Sequence, residues 1–369
     1  MDKALKYRLY PTKHQANLLQ TQLDGCRWLY NTLLGERKGA WEKEQKSLSY
    51  FKQCQRITEL KAEQPNLNNV YSQVLQNVAD RLDKTFRAFF RRVRAGETPR
   101  YPRFKGYNRY DSFTYTQFGF SLNGSLRLAK VGGVKIKLHR QPFGEISTCT
   151  IRRQNNKWYA CFATEYEPEP LPPSGKDVGI DVGLESFATM STGDKIPNPR
   201  FFRTDEKALA KAQRKLSRME KGTPERHKAK KVVSRIHERI ANRRHNFIHQ
   251  EARKVVNTFG LIAVEKLNIK GMLGNHCLAK SIADASWGQF INILSTKAEE
   301  AGREFIAVNP DGTSQLCSRC HSLVPKDLSV RIHSCPVCGL ILDRDLNASI
   351  NILGLGLQSL GLVPRSPRL

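Results

Sequence analysis

The chain has 369 residues, of which 39% are hydrophobic and 26% are charged, and it contains no run of eighteen apolar residues. This composition excludes a disordered chain and a helical membrane protein, and it leaves room for two or three packed domains. Residues 1–6 lack the apolar stretch of a secretory signal, so we expect a soluble protein inside the cell. The 61 basic and 34 acidic residues give a net charge of +27, which predicts nucleic acid as the partner; a ribosomal or membrane-surface protein is the alternative.

The nine cysteines form one tight group of four and five scattered residues. An odd number without paired spacing is typical of a reduced protein rather than of a disulfide framework. We expect the scattered cysteines to be small buried hydrophobic residues. They are Cys26, Cys54, Cys149, Cys161 and Cys277.

In the amino-terminal half, the alternation in residues 3–10 predicts a strand that Pro11 ends, and Thr12 is placed to cap a helix that reaches about Leu34. Residues 65–94 carry valine, leucine and phenylalanine at helical spacing, which predicts a helical module. Five arginines surround this apolar face and should be exposed: Arg81, Arg87, Arg91, Arg92 and Arg94.

Residues 100–120 interleave basic and aromatic side chains. The aromatic residues suit either base stacking or the core strands of a sheet, and the pattern does not choose between them. The basic residues are typical of phosphate contacts, which we expect from Arg100, Arg103, Lys105 and Arg109.

Alternating runs at 125–139 and 146–166 predict an antiparallel sheet. The first strand of the chain can rejoin this sheet, which gives a small β-barrel with a helical insertion. Residues 168–175 are rich in proline and predict a linker between domains.

The carboxyl-terminal half has the pattern of an α/β domain. Residues 178–190 predict a strand, a turn and a second strand, residues 204–258 predict two long helices, and residues 261–265 predict a buried strand. Between Arg203 and Lys254 the chain has 17 basic and 6 acidic residues. This excess is larger than a solvated helix face needs, so we expect the two helices to line a nucleic-acid channel.

Three acidic positions in this half stand where a charge needs compensation. Asp181 lies inside an apolar strand, Glu265 follows four buried-looking residues at the end of a strand, and Asp343-Arg344-Asp345 opens an apolar helix. Taken singly, an acid such as Asp343 is an ordinary helix cap. Three carboxylates that converge at a sheet edge can hold two divalent ions roughly 3.5–4 Å apart for phosphodiester cleavage. Mg²⁺ prefers such oxygen ligands.

The group of four cysteines has the spacing of a zinc ribbon. Cys317 and Cys320 are followed, after fourteen residues, by Cys335 and Cys338. Four thiolates complete the tetrahedral shell of one Zn²⁺ ion, which makes the site structural; a disulfide pair is the alternative. Because the group lies between the second and third acids, we expect zinc binding and the geometry of the acids to be coupled. Basic side chains should give the ribbon a surface for nucleic acid: Arg319, Lys326, Arg331 and His333.

The order of these motifs resembles the TnpB family of transposon-encoded proteins. The resemblance begins with Tyr-Arg-Leu-Tyr-Pro-Thr at 7–12 and covers nearly the whole chain. The matching segments include Gly-Ile-Asp-Val-Gly at 179–183, Val-Glu-Lys-Leu at 264–267, Cys-Ser-Arg-Cys at 317–320, Cys-Pro-Val-Cys-Gly at 335–339 and Asp-Arg-Asp-Leu-Asn-Ala-Ser at 343–349.

The resemblance implies an α/β chain with β-barrel and helical modules. Its nuclease domain would have the RNase H-like (RuvC) fold, interrupted by a zinc ribbon that binds target nucleic acid. Its amino-terminal part would be a wedge-like β-barrel with a helical recognition module inserted. The implied boundaries are 1–10 and 112–170 for the barrel, 11–111 for the helical module, 175–312 and 342–369 for the nuclease domain, and 313–341 for the ribbon.

By the same resemblance, Asp181, Glu265 and Asp345 match the catalytic positions and would bind two Mg²⁺ ions. Asp345 is preferred to Asp343 because the acid of the family lies two residues before the asparagine. Asp343 and Asn347 would then lie next to the metal ligands and support them without binding the ions.

The implied function is that of an RNA-guided DNA endonuclease related to small type V CRISPR effectors. A guide RNA from the transposon end would select DNA beside a short motif, and one RuvC-like site would cut both strands. We therefore expect a monomer in the prokaryotic cytoplasm, at the nucleoid when bound to DNA. The alternatives are a guide-dependent DNA-binding regulator that does not cleave, and a transposase that joins strands.

Five residues align with motif-contacting positions of the family, and glutamine is chemically suited to a base edge. An ordinary helix surface explains the same residues equally well. They are Tyr50, Ser72, Gln73, Gln76 and Thr116.

Overall fold

The computed structural model describes residues 1–107, 109–327 and 329–362. The chain divides into two compact units, Met1–Glu167 and Pro168–Leu369, and the division falls at the start of the proline-rich segment. No helix within the described part is long and apolar enough to cross a membrane. Parts of three expected domains lie outside the described residues: Asn108 in the helical module, Leu328 in the ribbon and 363–369 in the nuclease domain.

The described part of the first unit contains seven strands and three α-helices. The strands are β1 (Asp2–Tyr10), β2 (Ser112–Tyr115), β3 (Phe120–Asn123), β4 (Ser125–Leu128), β5 (Gly132–Lys137), β6 (Glu145–Gln154) and β7 (Lys157–Glu165). The helices are α1 (Lys13–Glu44), α2 (Tyr50–Glu63) and α3 (Ser72–Arg94), with a 3₁₀ turn at Pro65–Asn69. The predicted strand at 3–10 and the helices predicted from 12 and within 65–94 are confirmed, although their ends differ.

The strands form one antiparallel sheet in the order β2-β6-β7-β1-β5-β4-β3. Strand β1 lies between β7 and β5, so the predicted return of the first strand to the sheet is confirmed. The sheet curves enough for the Tyr115 hydroxyl of β2 to donate a hydrogen bond to the Ala129 carbonyl, just beyond β4. No ladder joins the edge strands β2 and β3 in the described residues. The barrel expected from the sequence is therefore an open, curved sheet.

Helix α1 continues ten residues beyond its predicted end at Leu34. Gly35 disfavours a helix locally, but Arg37 lies buried half a turn later. Its guanidinium donates to Gln53 of α2 at 2.6 Å and to Asp83 of α3 at 2.8 Å. Because these bonds hold α1 against both neighbours, tertiary packing outweighs the local preference and the helix continues.

Arg81 differs from the other four arginines expected on the surface of α3. Its guanidinium donates hydrogen bonds to the Ser112 carbonyl and the Thr114 hydroxyl of β2, so the side chain is half-buried. The prediction that Arg81 is exposed is wrong, because α3 packs against β2 on this side. The remaining arginines of the set are exposed: Arg87, Arg91, Arg92 and Arg94.

The described part of the second unit contains seven strands and six α-helices. The strands are β8 (Asp177–Asp181), β9 (Ser186–Met190), β10 (Lys195–Pro197), β11 (Leu261–Glu265), β12 (Glu304–Val308), β13 (Ile332–Ser334) and β14 (Ile341–Asp343). The helices are α4 (Phe201–Ser217), α5 (Pro224–Thr258), α6 (Ile269–Met272), α7 (Ala279–Ala285), α8 (Trp287–Glu300) and α9 (Arg344–Ser359). The strands predicted within 178–190 and at 261–265 and the two long helices are confirmed.

Five of these strands form a mixed sheet in the order β10-β9-β8-β11-β12. Strands β8, β11 and β12 are parallel, whereas β9 and β10 run antiparallel to their neighbours. Alternate residues of β11 face opposite sides of the sheet. Val264 packs in a cluster with Phe290 of α8, and Ala263 packs with Ile352 of α9. The sheet is therefore covered by helices on both faces.

Helix α9 touches the backbone of β8 at Gly179. A Cβ atom added there would lie 2.0 Å from the Ser349 carbonyl oxygen and 2.6 Å from the Leu353 nitrogen, so only glycine fits. The backbone that approaches this strand is that of α9. The contact holds the helix that begins at Arg344 against the strand that ends at Asp181.

The two basic helices α4 and α5 are joined by a buried acid. Asp205 of α4 pairs with Arg239 and Arg243 of α5. Of the 17 basic residues between 203 and 254, fifteen are exposed, and Arg226 and Arg244 are half-buried. The pair of helices therefore presents a strongly basic surface to solvent.

The scattered cysteines follow the expectation only in part. Cys26 and Cys149 are buried, Cys54 and Cys161 are half-buried, and Cys277 is exposed. The prediction for Cys277 is wrong because it lies in the loop between α6 and α7, which is mostly exposed.

Candidate active site

Three acidic residues lie at or near the ends of two neighbouring parallel strands. Asp181 is the last residue of β8 and Glu265 is the last residue of β11, and their ladder pairs Ile180 with Val264. Asp345 lies in the first turn of α9, the helix that touches β8. The carboxyl ends of parallel strands are where α/β sheets bind their ligands.

The charges of Glu265 and Asp345 act on the buried Asp181 carboxyl. Burial raises the pKa of the Asp181 carboxyl well above its usual value, the charges of Glu265 and Asp345 raise it further, and Arg344 opposes them. Burial also raises the pKa of Glu265, against a hydrogen bond from Thr313. A cluster whose ionised form is destabilised in this way is one that a divalent cation would stabilise. Its oxygen donors fit Mg²⁺.

Arg344 brings a positive charge to the cluster. Its Nε and Nη2 atoms lie 3.2 and 3.1 Å from Asp345 Oδ1, and the two side chains are only 15% and 14% exposed. Its Nη1 donates to the Val330 carbonyl, and its amide donates to the Arg331 carbonyl. Arg344 therefore links the segment between the two cysteine pairs to an acid of the cluster.

Asp343 caps α9. Its Oδ1 accepts hydrogen bonds from the amides of Asp345 at 2.9 Å and Leu346 at 3.1 Å, and its Oδ2 accepts one from Lys195 of β10 at 2.8 Å. This side chain satisfies two amides that a helix start leaves without partners. It supports the position of Asp345 through the backbone.

The segment between β12 and the first cysteine pair touches both the acidic cluster and α9. The Thr313 hydroxyl donates a hydrogen bond to Glu265 Oε1. The Asn351 amide donates to the carbonyls of Thr313 and Leu316, both at 2.8 Å. Asn347, expected to support the acids, is fully buried and donates to the Leu316 carbonyl at 2.7 Å.

The four cysteines of the ribbon converge. Their sulfur atoms all lie within 4.8 Å of one another, and the Cys317–Cys338 and Cys320–Cys335 sulfur pairs are each 3.5 Å apart. A tetrahedral ion with metal–sulfur bonds of about 2.3 Å needs sulfurs about 3.8 Å apart, so the group can hold a metal ion. All four thiols are free, so the disulfide alternative is not formed. A hydrogen bond with Ser322 lowers the pKa of Cys320 to about 6, which favours the metal-binding thiolate.

His333 does not belong to the surface of the ribbon. Its ring is completely buried, and Lys326 lies against its Nδ1 atom. Burial lowers the pKa of His333, and the charge of Lys326 lowers it further. The prediction that this residue adds positive charge is wrong, because the ring fills the interior of the ribbon. Arg319 and Arg331 are exposed, as expected.

Three of the four basic residues expected to contact phosphate are exposed. Arg100, Arg103 and Arg109 are open to solvent. Lys105 is half-buried: its amide donates to Asn31 at 2.7 Å, and its ammonium lies 5.5 Å from the centre of the Tyr30 ring. A phosphate contact remains an expectation for all four.

The aromatic residues of 100–120 divide between the two alternatives. Phe113 and Tyr115 of β2 are fully buried, as core strands require. Phe104, Tyr107 and Phe118 are exposed, at 54%, 60% and 90% of their surface, and are open to stacking. Each alternative therefore describes part of the segment.

The expected motif-contacting residues lie at the start of two helices, α2 and α3, and just after the end of β2. Ser72, Gln73 and Gln76 occupy the first two turns of α3, and Tyr50 begins α2. The Thr116 hydroxyl lies 3.5 Å from Gln73 Oε1, so these two are brought together. Burial of the group is partial: Tyr50, Gln73 and Thr116 are half-buried, whereas Ser72 and Gln76 are exposed.

Sequence reasoning missed Thr313, Asn351 and Arg344. Arg344 could have been found from its place between two acids. Thr313 gives no such signal, because its segment has no periodicity, and only the fold shows that it is 2% exposed and reaches Glu265.

Three family models match parts of the chain. OrfB_IS605, described as "Probable transposase", matches residues 161–276. The model described as "Cas12f1-like, TNB domain" matches 287–352, which includes the four cysteines. A helix-turn-helix domain of OrfB_IS605 matches 1–46, where the structure forms β1 and the single long helix α1.

Two relatives match almost end to end. A Streptomyces pristinaespiralis protein named "Putative RNA-guided DNA endonuclease" is 37% identical over 367 residues, which cover 97% of this chain and 90% of the relative. The Escherichia coli (strain K12) protein "Putative RNA-guided DNA endonuclease InsQ" is 31% identical over 376 residues, which cover 96% of this chain and 92% of the relative. These matches define a class of transposon-associated proteins. The chain belongs to the TnpB family, as its motifs indicated.

One solved structure, "Structure of the mini-RNA-guided endonuclease CRISPR-Cas_phi3", aligns with a TM-score of 0.52 over 97% of this chain and 92% of that one. At 9% identity the alignment shows a shared fold and nothing more.

Proposed function

We propose that this protein is a transposon-encoded, RNA-guided DNA endonuclease that cleaves both strands at a RuvC-like site. The observation that carries the proposal is that Asp181 and Glu265 end neighbouring parallel strands, and that the charges of Glu265 and Asp345 raise the pKa of the buried Asp181. The mixed sheet supports an RNase H-like domain, because β8, β11 and β12 are parallel and the antiparallel strands β9 and β10 lie beside β8. This domain would occupy 175–312 and 342–369, with the ribbon at 313–341 inserted.

In this proposal Asp181, Glu265 and Asp345 hold two Mg²⁺ ions. When bound, such ions activate the attacking water and stabilise the leaving oxygen of the phosphodiester. The chain contributes the orientation of the ligands. Two carboxylates are fixed by the hydrogen-bonded backbone of a sheet, and the third is fixed by the capped first turn of α9. Arg344 keeps a guanidinium beside Asp345, and this group suits a phosphate oxygen.

The four cysteines would bind one structural Zn²⁺ ion. Four thiolates fill a tetrahedral shell, so no position is left for a water or a substrate. The ribbon would brace the nuclease domain and offer its exposed Arg319 and Arg331 to nucleic acid.

The partners would be a guide RNA from the transposon end and double-stranded target DNA. The names of the two relatives and the net charge of +27 support this choice. Base pairing with the guide would select the target, while the first unit reads a short adjacent motif through a curved sheet and a helical module. A monomer would hold one guide and cut the two strands in turn.

Each expected contact of the two partners remains part of the proposal. The basic helices α4 and α5 would line the nucleic-acid channel. Phosphate contacts would come from Arg100, Arg103, Lys105 and Arg109, and motif contacts from Tyr50, Ser72, Gln73, Gln76 and Thr116.

The test is cleavage of a plasmid library in which a matched target stands beside randomised flanks. The protein is purified with its transposon-end RNA and incubated with the library and Mg²⁺. We expect double-strand breaks at a subset of flanks, none without RNA, and none with Asp181→Ala, which should still form the complex. Metal-dependent cleavage by Asp181→Ala at the wild-type rate would refute the site assignment.

The same reaction separates the two alternatives. Specific binding without cleavage by the wild-type protein would support the regulator, and joined strands in the presence of transposon ends would support the transposase. The clustered carboxylates disfavour a regulator, since buried repelling acids are costly to retain without a cation to hold.

A further inference from the structure

Residues 313–318, which we call the tether, follow the loop after β12 and include Cys317 of the first cysteine pair. Thr313 and Cys317 are buried, whereas Ser314 and Gln315 are exposed. Within it Thr313 is 2% exposed, and its hydroxyl lies within hydrogen-bonding distance of Glu265 Oε1 and of the Pro310 carbonyl, the latter at 3.0 Å. The hydroxyl has one proton for these two acceptors, and the ionised carboxylate is the stronger acceptor. Such a bond occupies one oxygen of the carboxylate and fixes the plane of the group, which leaves Oε2 to face a cation.

The tether is itself held by α9. Asn351 uses both amide protons, on the Thr313 and Leu316 carbonyls at 2.8 Å. Asn347 lies one turn earlier and donates to the second lone pair of Leu316 at 2.7 Å, while its own oxygen accepts from the Ser318 amide at 2.9 Å. Four hydrogen bonds thus join the tether to α9, and together they fix its position on the helix.

Glu265 and Asp345 belong to different elements, a strand and a helix, with no backbone pairing between them. The tether connects them through hydrogen bonds. Asn351 of α9, the helix that carries Asp345, donates to the Thr313 carbonyl, and the Thr313 hydroxyl donates to Glu265. We propose that Thr313 is a positioning residue that sets the Glu265 carboxylate relative to Asp345 and thereby raises the affinity of the acidic cluster for divalent cations. This inference rests on the proposed function.

The role predicts a specific pattern among variants at this position. Thr313→Ala removes the hydroxyl and the methyl group, whereas Thr313→Ser removes only the methyl group. The difference between Ala and Ser therefore isolates the hydroxyl, even where both variants lose some packing stability. Thr296→Val is the control, because Thr296 is exposed and its hydroxyl donates to the Asn292 carbonyl of its own helix, at 3.0 Å.

The measurement is the binding of Mn²⁺, followed by the loss of the free-ion electron paramagnetic resonance signal, on zinc-loaded full-length protein with its guide RNA. Because groups that orient metal ligands typically contribute 10- to 100-fold in affinity, we expect Thr313→Ala to weaken Mn²⁺ binding about tenfold or more. Thr313→Ser and Thr296→Val should bind within about threefold of the wild type. Cleavage by Thr313→Ala should recover as Mg²⁺ is raised, because the defect lies in affinity.

Equal Mn²⁺ affinities for Thr313→Ala and Thr313→Ser would overturn the inference, whatever their melting temperatures. So would a Thr313→Ala cleavage defect that no concentration of Mg²⁺ corrects. Asp181→Ala sets the signal expected when the cluster no longer binds. A wild-type protein that binds no more Mn²⁺ than Asp181→Ala would instead count against the proposed function.

Discussion

Replacing Gly179 by alanine tests the contact that brings α9 to the sheet. The new Cβ would lie 2.0 Å from the Ser349 carbonyl oxygen, whereas real Cβ atoms essentially never come within 3.0 Å of a neighbour, so α9 must recede from β8. The two nearest atoms, the Ser349 carbonyl oxygen and the Leu353 nitrogen, belong to the backbone and cannot rotate away as a side chain could. We expect a loss of about 3 kcal/mol in the free energy of unfolding, at the upper end of what overpacking costs.

The assay is thermal unfolding of the zinc-loaded full chain by calorimetry. For a unit of this size, a loss of about 3 kcal/mol lowers the melting temperature by roughly 6–12 °C. Gly354→Ala on the same helix is the control, since an added Cβ there meets nothing within 4 Å. Alanine in a helix interior stabilises by about 0.5–1 kcal/mol relative to glycine, so this variant should melt slightly higher. Melting of Gly179→Ala at or above the temperature of Gly354→Ala would refute the close approach.

Three other perturbations have defined outcomes. The raised pKa of Asp181 means that the folded protein binds its proton more tightly than the unfolded chain, so without metal this group lowers stability as pH rises above the ordinary carboxyl range. Asp181→Asn should therefore raise the melting temperature of the zinc-loaded protein without Mg²⁺ more at pH 8 than at pH 5, and an equal gain at both would contradict the raised pKa. Cys335→Ser should release the zinc, detected by atomic absorption, and lower the melting temperature, whereas Cys277→Ser should keep both values. Asp343→Ala should lower the unfolding free energy by about 1–2 kcal/mol through loss of the helix cap, whereas Lys195→Ala removes only an exposed ion pair and should cost less than about 1 kcal/mol in denaturant titration; a larger loss for Lys195→Ala would reverse the assignment.

The elements that carry the candidate site were predictable because their signals are local. A charge that ends an apolar strand, as at Asp181 and Glu265, is visible in five consecutive residues, and the cysteine spacing is visible in twenty-two. The helix of Asp345 begins at its predicted cap. Such features depend on backbone pairing and side-chain chemistry within one segment.

What the sequence could not provide are the properties that depend on a distant neighbour. Arg81 is polar and sits on a helix, so its burial became visible only with β2 in place. His333 looks like part of a basic surface until the ribbon closes around it. Thr313 is separated from Glu265 by 48 residues, and no periodicity connects them. In each case tertiary contact decides between exposure and burial, and local pattern carries no information about it.

Helix α9 sets the position of Asp345 relative to the two acids that end β8 and β11. One of its faces meets the backbone of β8 at Gly179. Another meets β11, where a Cβ atom added at Gly356 would lie 2.7 Å from the Cβ atom of Ala263. Asn347 and Asn351 bind the tether through hydrogen bonds. These contacts fix both the height and the rotation of the helix. Because each residue of an α-helix turns the chain by about 100°, inserting one residue after the first turn would direct Asp345 away from Asp181 while leaving the strands intact. The geometry of the acids is therefore set by the packing of this helix as much as by the sheet.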